Sequence, residues 1–275
     1  MPLYINTNVA SLTAQRNLLK SSNELSTTFA RLSSGLRVNS AKDDAAGLSI
    51  STRMTSQIKG LNMAIRNAND GVSMSQVAEG ALAETTNALQ RMRELAVQSA
   101  NGTLVDDDRL DIDQEVQQLL AEIERIATQT EFNTKSMLDG TFTQMQIQVG
   151  AFSGQKISFA IDGMTKSDLG VNAQATATVS TQAKAEIFIG MLDDSLDSVS
   201  DLRATLGAVQ NRFEAVINNL SNVVENMSAA RSRVLDADIA AETANLTRSA
   251  ILQQAGTAVL AQANQQPQLA LQLLG

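Results

Sequence analysis

The chain has 275 residues, enough for one large domain or two small ones, and its 43% hydrophobic content is ordinary for a folded protein. It contains no Cys, His or Trp, which removes the usual neutral-pH general base, thiolate nucleophiles, disulfides and structural zinc sites together. A net charge of −8 and a pI near 4.7 argue against nucleic acid, whose phosphates need a basic face.

The opening residues, MPLYINTNVASLTAQRNLLK, lack a basic region followed by an apolar core, so no cleaved secretory signal is expected there. A narrow apolar stripe follows at Leu18, Leu25, Phe29, Leu32 and Leu36 and predicts a terminal coiled-coil helix. Next comes RLSSGLRVNSAKDDAAGLSI, residues 31–50, where Gly35 and Gly47 bracket the paired carboxylates Asp43 and Asp44 beside Lys42. Such a stretch either does chemistry or joins two parts of a fold. Ser56 with Lys59, and later Ser153 with Lys156, match the S-x-x-K spacing of some hydrolases, but neither has an S-D-N or K-T-G partner.

Residues 89–100, LQRMRELAVQSA, read as an amphipathic helix with Leu89, Met92 and Ala96 inward and Gln90, Arg91 and Arg93 outward. The Asn101-Gly102 pair offers left-handed conformations that end it. Asp106, Asp107 and Asp108 then favour a new helix N-terminus, with Val105 and Leu110 spaced as a hydrophobic staple. The same acids do not form an EF-hand, because Leu110 and Asp111 stand where the loop needs Asp or Asn and then Gly; Asp236 and Asp238 fail likewise.

A second seam runs Val116, Leu119, Ile123, Ile126. Between about 144 and 162 the period changes to two: Met145, Ile147, Val149 and then Ile157, Phe159, Ile161 predict two strands joined as a hairpin through AFSG. The small, polar stretch NAQATATVSTQA, residues 172–183, follows as a loop or a join between two halves. The strongest pattern is Leu202, Leu206, Val209, Phe213, Val216, Leu220, Val223, Met227, an unbroken alternation of four and three. The tail after Arg248 carries no charge, yet Gln and Asn residues interrupt it too often for a membrane span. The fold class expected is therefore mainly α: long coiled-coil helices from both termini plus a helical bundle with a small β-hairpin region. One narrow stripe cannot offset the entropy of ordering each terminus, so the ends are expected to be disordered in the monomer and to fold when many chains pack together.

INTNVASL, RLSSGLRVNSAKDDAAGLSI, NDGVSMSQVAEGALAE, LQRMRELAVQSANG and RSAILQQAGTAVLAQANQ occur in this order, and nearly the whole chain resembles bacterial flagellin. The resemblance implies a short form lacking the outer variable domains. Residues 1–45 with 236–275 would form an inner-tube coiled coil, and 46–165 with 186–235 an outer-tube helical domain; 166–185 would be the join that replaces the variable domains. Gly35, Arg37, Lys42, Asp43, Asp44 and Gly47 would belong to a spoke, the glycines permitting its turn and the charged residues touching neighbouring subunits. Leu18, Leu25, Phe29, Leu32, Leu246, Val259, Leu260, Leu269 and Leu273 would lie on the terminal assembly helices.

The implied partners are other copies of the chain in a secreted, extracellular homopolymer, an export chaperone acting with a type III channel, and the filament cap and hook-filament junction proteins. A Toll-like receptor of host animals would bind Arg91, Leu95 and Glu115. The leucines at 269, 271, 273 and 274 resemble those read by cytosolic inflammasome receptors, although QQPQLALQLLG departs from the usual ending. Thr176 to Thr181 and the neighbourhood of Ser153 are expected positions for O-glycans. No catalytic residue, cofactor, metal, nucleic acid or membrane is implied. The alternative within the class is a hook-filament junction protein, which shares the terminal heptads.

Overall fold

A computed structural model of the chain describes residues 7–142, 144–172 and 177–274, with side chains as far as Gln265. Five helices are described: α1 Val9–Ser34, α2 Ala45–Ser99, α3 Asp106–Gln129, α4 Gln182–Leu235 and α5 Ile239–Leu274. Four short strands lie between α3 and α4: β1 Glu131–Phe132, β2 Lys135–Ser136, β3 Met145–Gln148 and β4 Lys156–Phe159. The chain divides into two compact units, Met1–Gln57 with Glu225–Gly275, and Ile58–Val224. The boundaries expected near residues 45 and 235 mark helix ends; the units instead part inside α2 and α4, which run on without a break.

In the first unit α1 and α5 pair antiparallel. Asn8 caps α1 by accepting from the Ser11 amide at 3.0 Å, and Gly35 ends it at φ 70°, a left-handed cap that suits glycine. Asp238 begins α5 by accepting from the amides of Ala240 and Ala241 at 2.9 and 3.2 Å. The buried stripe of α1 is a strict heptad, but half of it is small or polar: Ser11, Ala14, Ser21 and Thr28 are buried, and Leu18, Leu25 and Leu32 alternate with them, half-buried. Its partner stripe on α5 includes Glu242, Leu246, Ser249, Gly256, Leu260 and Ala263.

Small residues let the two backbones approach. A Cβ at Gly256 would lie 3.2 Å from Leu18 Cδ1, and Ser21 Oγ donates to the Ser249 carbonyl at 3.2 Å. Asn8 donates to the Ala263 carbonyl at 2.7 Å, Ser11 to the Asn264 side chain at 2.7 Å, and Arg31 pairs with Glu242 at 3.3 Å. Phe29, read from the sequence as part of the α1 stripe, departs from it: it is 64% exposed, one residue off the stripe and about 100° around the helix, and Val259 of α5 is likewise 56% exposed. The side chains of Leu269 and Leu273 lie outside the described residues.

The second unit holds the core. In α4 the seam begins already at Ala185 and continues through Phe188, Leu192, Ser195, Val199, Leu202 and Leu206 to Phe213 and Leu220. Val116, Leu120, Ile123 and Ala127 of α3 and Ala78, Leu82, Leu89 and Met92 of α2 bury the facing surfaces. β3 and β4 pair antiparallel in the expected hairpin, with Ile147 opposite Ile157 and Met145 opposite Phe159. Ile147, Ile157 and Phe159 point inward, and Phe159 meets Phe213 edge to face at 6.0 Å. Gly71 is where the hairpin and α4 crowd α2: a Cβ there would lie 2.6 Å from Ile147 Cδ1 and 2.9 Å from Phe213 Cζ.

Three local expectations are revised. A second hairpin, β1–β2, turns through Asn133 and Thr134 at φ 49° and 64°, a primed turn that the short EFNTKS run does not advertise. The join is not loose: Leu169, Val171, Ala177 and Val179 are buried, and α4 starts within it. Val105 is itself the α3 N-cap and, like Leu110, stays exposed, so no staple forms. Thr176 lies outside the described residues, Thr178 is buried, and Ser153 is exposed.

Candidate functional site

Residues 35–44 cross from α1 to α2 as a strap held by backbone. Leu36 bridges to Asp236, the Arg37 amide donates to the Leu235 carbonyl at 2.7 Å, and the Ala237 amide donates to the Gly35 carbonyl at 2.9 Å. Val38 is buried and anchors the strap. Arg37 Nη2 donates to the Val234 carbonyl at 2.7 Å, satisfying the end of α4. The paired carboxylates have separate structural tasks. Asp43 accepts from the Asn39 and Ser40 amides at 3.2 and 2.9 Å and from Ser40 Oγ at 2.8 Å, and these bonds, the hydroxyl's foremost, hold its carboxyl below the ordinary range. Asp44 caps α2 by accepting from the Gly47 amide at 2.8 Å.

Gly47 is therefore not a turn residue. It lies in the first turn of α2, and its missing Cβ leaves room for the Asp44 carboxylate. Lys42 projects into solvent. No acid–base arrangement results: each carboxylate is spent on backbone amides, which answers the question raised by residues 31–50.

On the second unit, Arg91 of α2 and Glu115 of α3 form an ion pair. Arg91 Nε and Nη2 each lie 2.9 Å from Glu115 Oε1, and Nη1 reaches Glu94 at 3.0 Å, so the guanidinium is held more firmly protonated by Glu115 first and Glu94 second. Leu95 does not join them at the surface. It is 3% exposed, packed into the core beneath the pair, because it falls on the same stripe as Met92. Arg93 instead ties α2 to α4 through Asp193 at 2.6 Å.

Arg109 is the residue that sequence reasoning missed. Nearly buried, it donates to the carbonyls of Ser99, Asn101 and Leu104, the last two at 3.1 Å. It thus closes the α2–α3 turn in place of the left-handed cap expected from Asn101-Gly102, neither of which has positive φ. One arginine among many acids carries no sequence signal for this task. Val179 adds to the same corner, accepting from Ser99 Oγ at 2.5 Å and donating to Asp113 at 2.8 Å.

The S-x-x-K serines lie on open surface. Ser56 and Lys59 are both exposed, and Lys156 donates to Gln146 at 3.0 Å rather than to Ser153. Among the described residues no three acidic side chains gather closely enough to hold a metal ion, and no helix is long and apolar enough to cross a membrane. What remains distinctive is the first unit, where a groove between α1 and α5 is lined by Ala14, Leu18, Leu252, Gly256 and Val259. Val9, Leu12, Leu19, Phe29, Ile251, Leu252 and Val259 all stay exposed on these two helices.

Comparison with known proteins matches both ends of the chain. Residues 5–143 fit the bacterial flagellin N-terminal helical region and residues 189–274 the bacterial flagellin C-terminal helical region. A flagellin of Halalkalibacterium halodurans is 49% identical over 274 residues, covering 99% of this chain and all of that one. Flagellin A of Vibrio cholerae is 36% identical, covering all of both chains in an alignment 378 positions long against the 275 residues here. The crystal structure of Bacillus cereus flagellin superposes with a TM-score of 0.50 at 33% identity, covering 60% of this chain and 94% of that one. Both helical regions, the order of the elements and the full-length identity agree: this chain belongs to the bacterial flagellin family, a family of structural proteins rather than enzymes, and is a short form without the variable domains.

Proposed function

We propose that this chain is the repeating subunit of a flagellar filament, exported and then self-assembled through α1 and α5 into an extracellular helical tube that serves motility. The observation that carries this reading is the inverted burial of the terminal pair. Small and polar residues alternate with half-buried leucines where α1 and α5 face each other, while Val9, Leu12, Leu19, Phe29, Ile251, Leu252 and Val259 stay exposed on the two helices. An isolated chain gains little by burying serines and leaves hydrocarbon in water; further copies packed on the outward stripes reverse that balance. The chaperone, cap and junction partners follow from the same reading, since an exported subunit with such ends needs shielding before assembly. Identity of 49% to a flagellin along the whole chain favours filament over hook-filament junction.

Seeded growth tests the proposal. Full-length protein mixed with short filament seeds should sediment and lengthen them under electron microscopy, and a chain lacking residues 236–275 should not. Failure of the full-length chain to elongate seeds at any concentration would sink the reading.

A second reading concerns innate immunity. The exposed Arg91–Glu115 pair lies on one face of α2 and α3, with Leu95 supporting α2 from within. We infer that a Toll-like receptor grips this polar pair directly, with Leu95 acting through the helix it supports. Arg91→Ala and Glu115→Ala should each lower receptor signalling with the fold intact; unchanged signalling in both would refute it.

A further inference from the structure

The turn between α2 and α3 contains the chain's one Asn-Gly pair, Asn101-Gly102, and both residues are exposed. We propose that this turn is a built-in deamidation site, a modification that records the age of the folded chain. Asparagine is thermally labile where the next backbone nitrogen can reach its side chain, and glycine, lacking Cβ, permits the closest approach. The Gly102 N–H is not spent on a hydrogen bond in the turn, whereas its neighbours are: the Asn101 amide donates to Gln98, the Thr103 amide to Asn101 Oδ1 at 3.2 Å, and the Leu104 amide to the Asn101 carbonyl.

The chemistry needs only water. The Gly102 nitrogen loses its proton and bonds to Asn101 Cγ; the Cγ–Nδ2 bond breaks, and the amine leaves with a proton as ammonia. The five-membered imide then takes up water at either carbonyl, giving aspartate or isoaspartate at position 101. Charge develops on the Gly102 amide and is shared with the Asn101 carbonyl oxygen. That oxygen already accepts from Arg109 Nη2 at 3.1 Å and from the Leu104 amide at 3.4 Å. A buried cation aimed at the atom where negative charge grows favours the amide anion. Arg109 is thus a positioning residue for the reaction as well as the clamp of the turn. Isoaspartate would add a methylene to the backbone and move the carbonyl that Arg109 holds, so the modified turn is looser than the original.

The test is peptide mapping by mass spectrometry of the full chain held at mildly alkaline pH. Isoaspartyl methyltransferase labelling provides a second readout. Residue 101 should deamidate severalfold faster than Asn39 and Asn133, exposed asparagines followed by Ser40 and Thr134, and the rate should rise with pH. Gly102→Ala should bring it down to theirs. Arg109→Lys should retain much of the rate and Arg109→Gln lose it, at matched helix content. If Arg109→Gln does not fold, unfolding the wild-type chain in urea should slow residue 101 relative to Asn39 and Asn133. Equal rates at the three asparagines, or no response to Gly102→Ala, would overturn the site. A rate at residue 101 unchanged by Arg109→Gln, or unchanged relative to the other two on unfolding, would overturn the part assigned to Arg109.

Discussion

Thr134 sits at φ 64° in the turn between β1 and β2, where a β-branched side chain is crowded against its own backbone. Left-handed geometry costs an L-residue about 1–2 kcal/mol, and glycine returns part of that as unfolded-state entropy. Thr134→Gly should therefore stabilise the second unit by about 1 kcal/mol in urea unfolding. Gly71 gives the opposite sign: alanine would gain about 1 kcal/mol of helix propensity but lose about 1–3 kcal/mol against Ile147 and Phe213, so Gly71→Ala should be neutral to destabilising. Asp43 supplies a pH dependence. Its folded pKa is lowered by Ser40, so the stabilisation it gives the strap is complete above the ordinary carboxylate pKa and is lost as pH falls through the lowered value. The protection factor of the Ser40 amide, its exchange rate relative to that of an unstructured chain at the same pH, should fall across that acid window and stay flat above it; protection unchanged down to full protonation would show that the carboxylate does not hold the turn.

The two coiled-coil seams make a controlled contrast between elements. Leu206 of α4 lies fully buried in the core of the second unit, and truncating such a side chain costs about 2–5 kcal/mol. Leu25 of α1 is only half-buried between Ser21 and Thr28. Leu206→Ala should lower the melting temperature of the monomer markedly, while Leu25→Ala should leave it nearly unchanged and weaken assembly instead. The same contrast explains what the sequence discloses. The α4 pattern is legible because every seam position from Leu202 to Leu220 is large and apolar. The α1 stripe is not, since its buried members are Ser11, Ala14, Ser21 and Thr28; a reader of apolar residues is drawn to Phe29, which lies outside. The outward side of Arg91 is legible from the helical period, but the burial of Leu95 depends on the bundle's cross-section, and the Arg109 clamp depends on three carbonyls brought together by the turn.

The whole molecule divides into a unit that carries its own core, Ile58–Val224, and one whose paired helices bury mostly small and polar residues. Limited proteolysis of the dilute chain should trim both ends and leave a resistant fragment close to Ile58–Val224. Equal resistance of the termini would mean that α1 and α5 are stable as a pair and need no further copies. The most direct measurement is the critical concentration for seeded elongation of a variant carrying Leu252→Ser and Val259→Ser, two outward positions on α5. Each side chain is worth about 1.5–3 kcal/mol if buried by assembly, so the critical concentration should rise at least about tenfold while the melting of the second unit stays where it was. A variant that elongates seeds at the wild-type critical concentration would contradict the claim that outward apolar faces of the terminal helices drive the filament together.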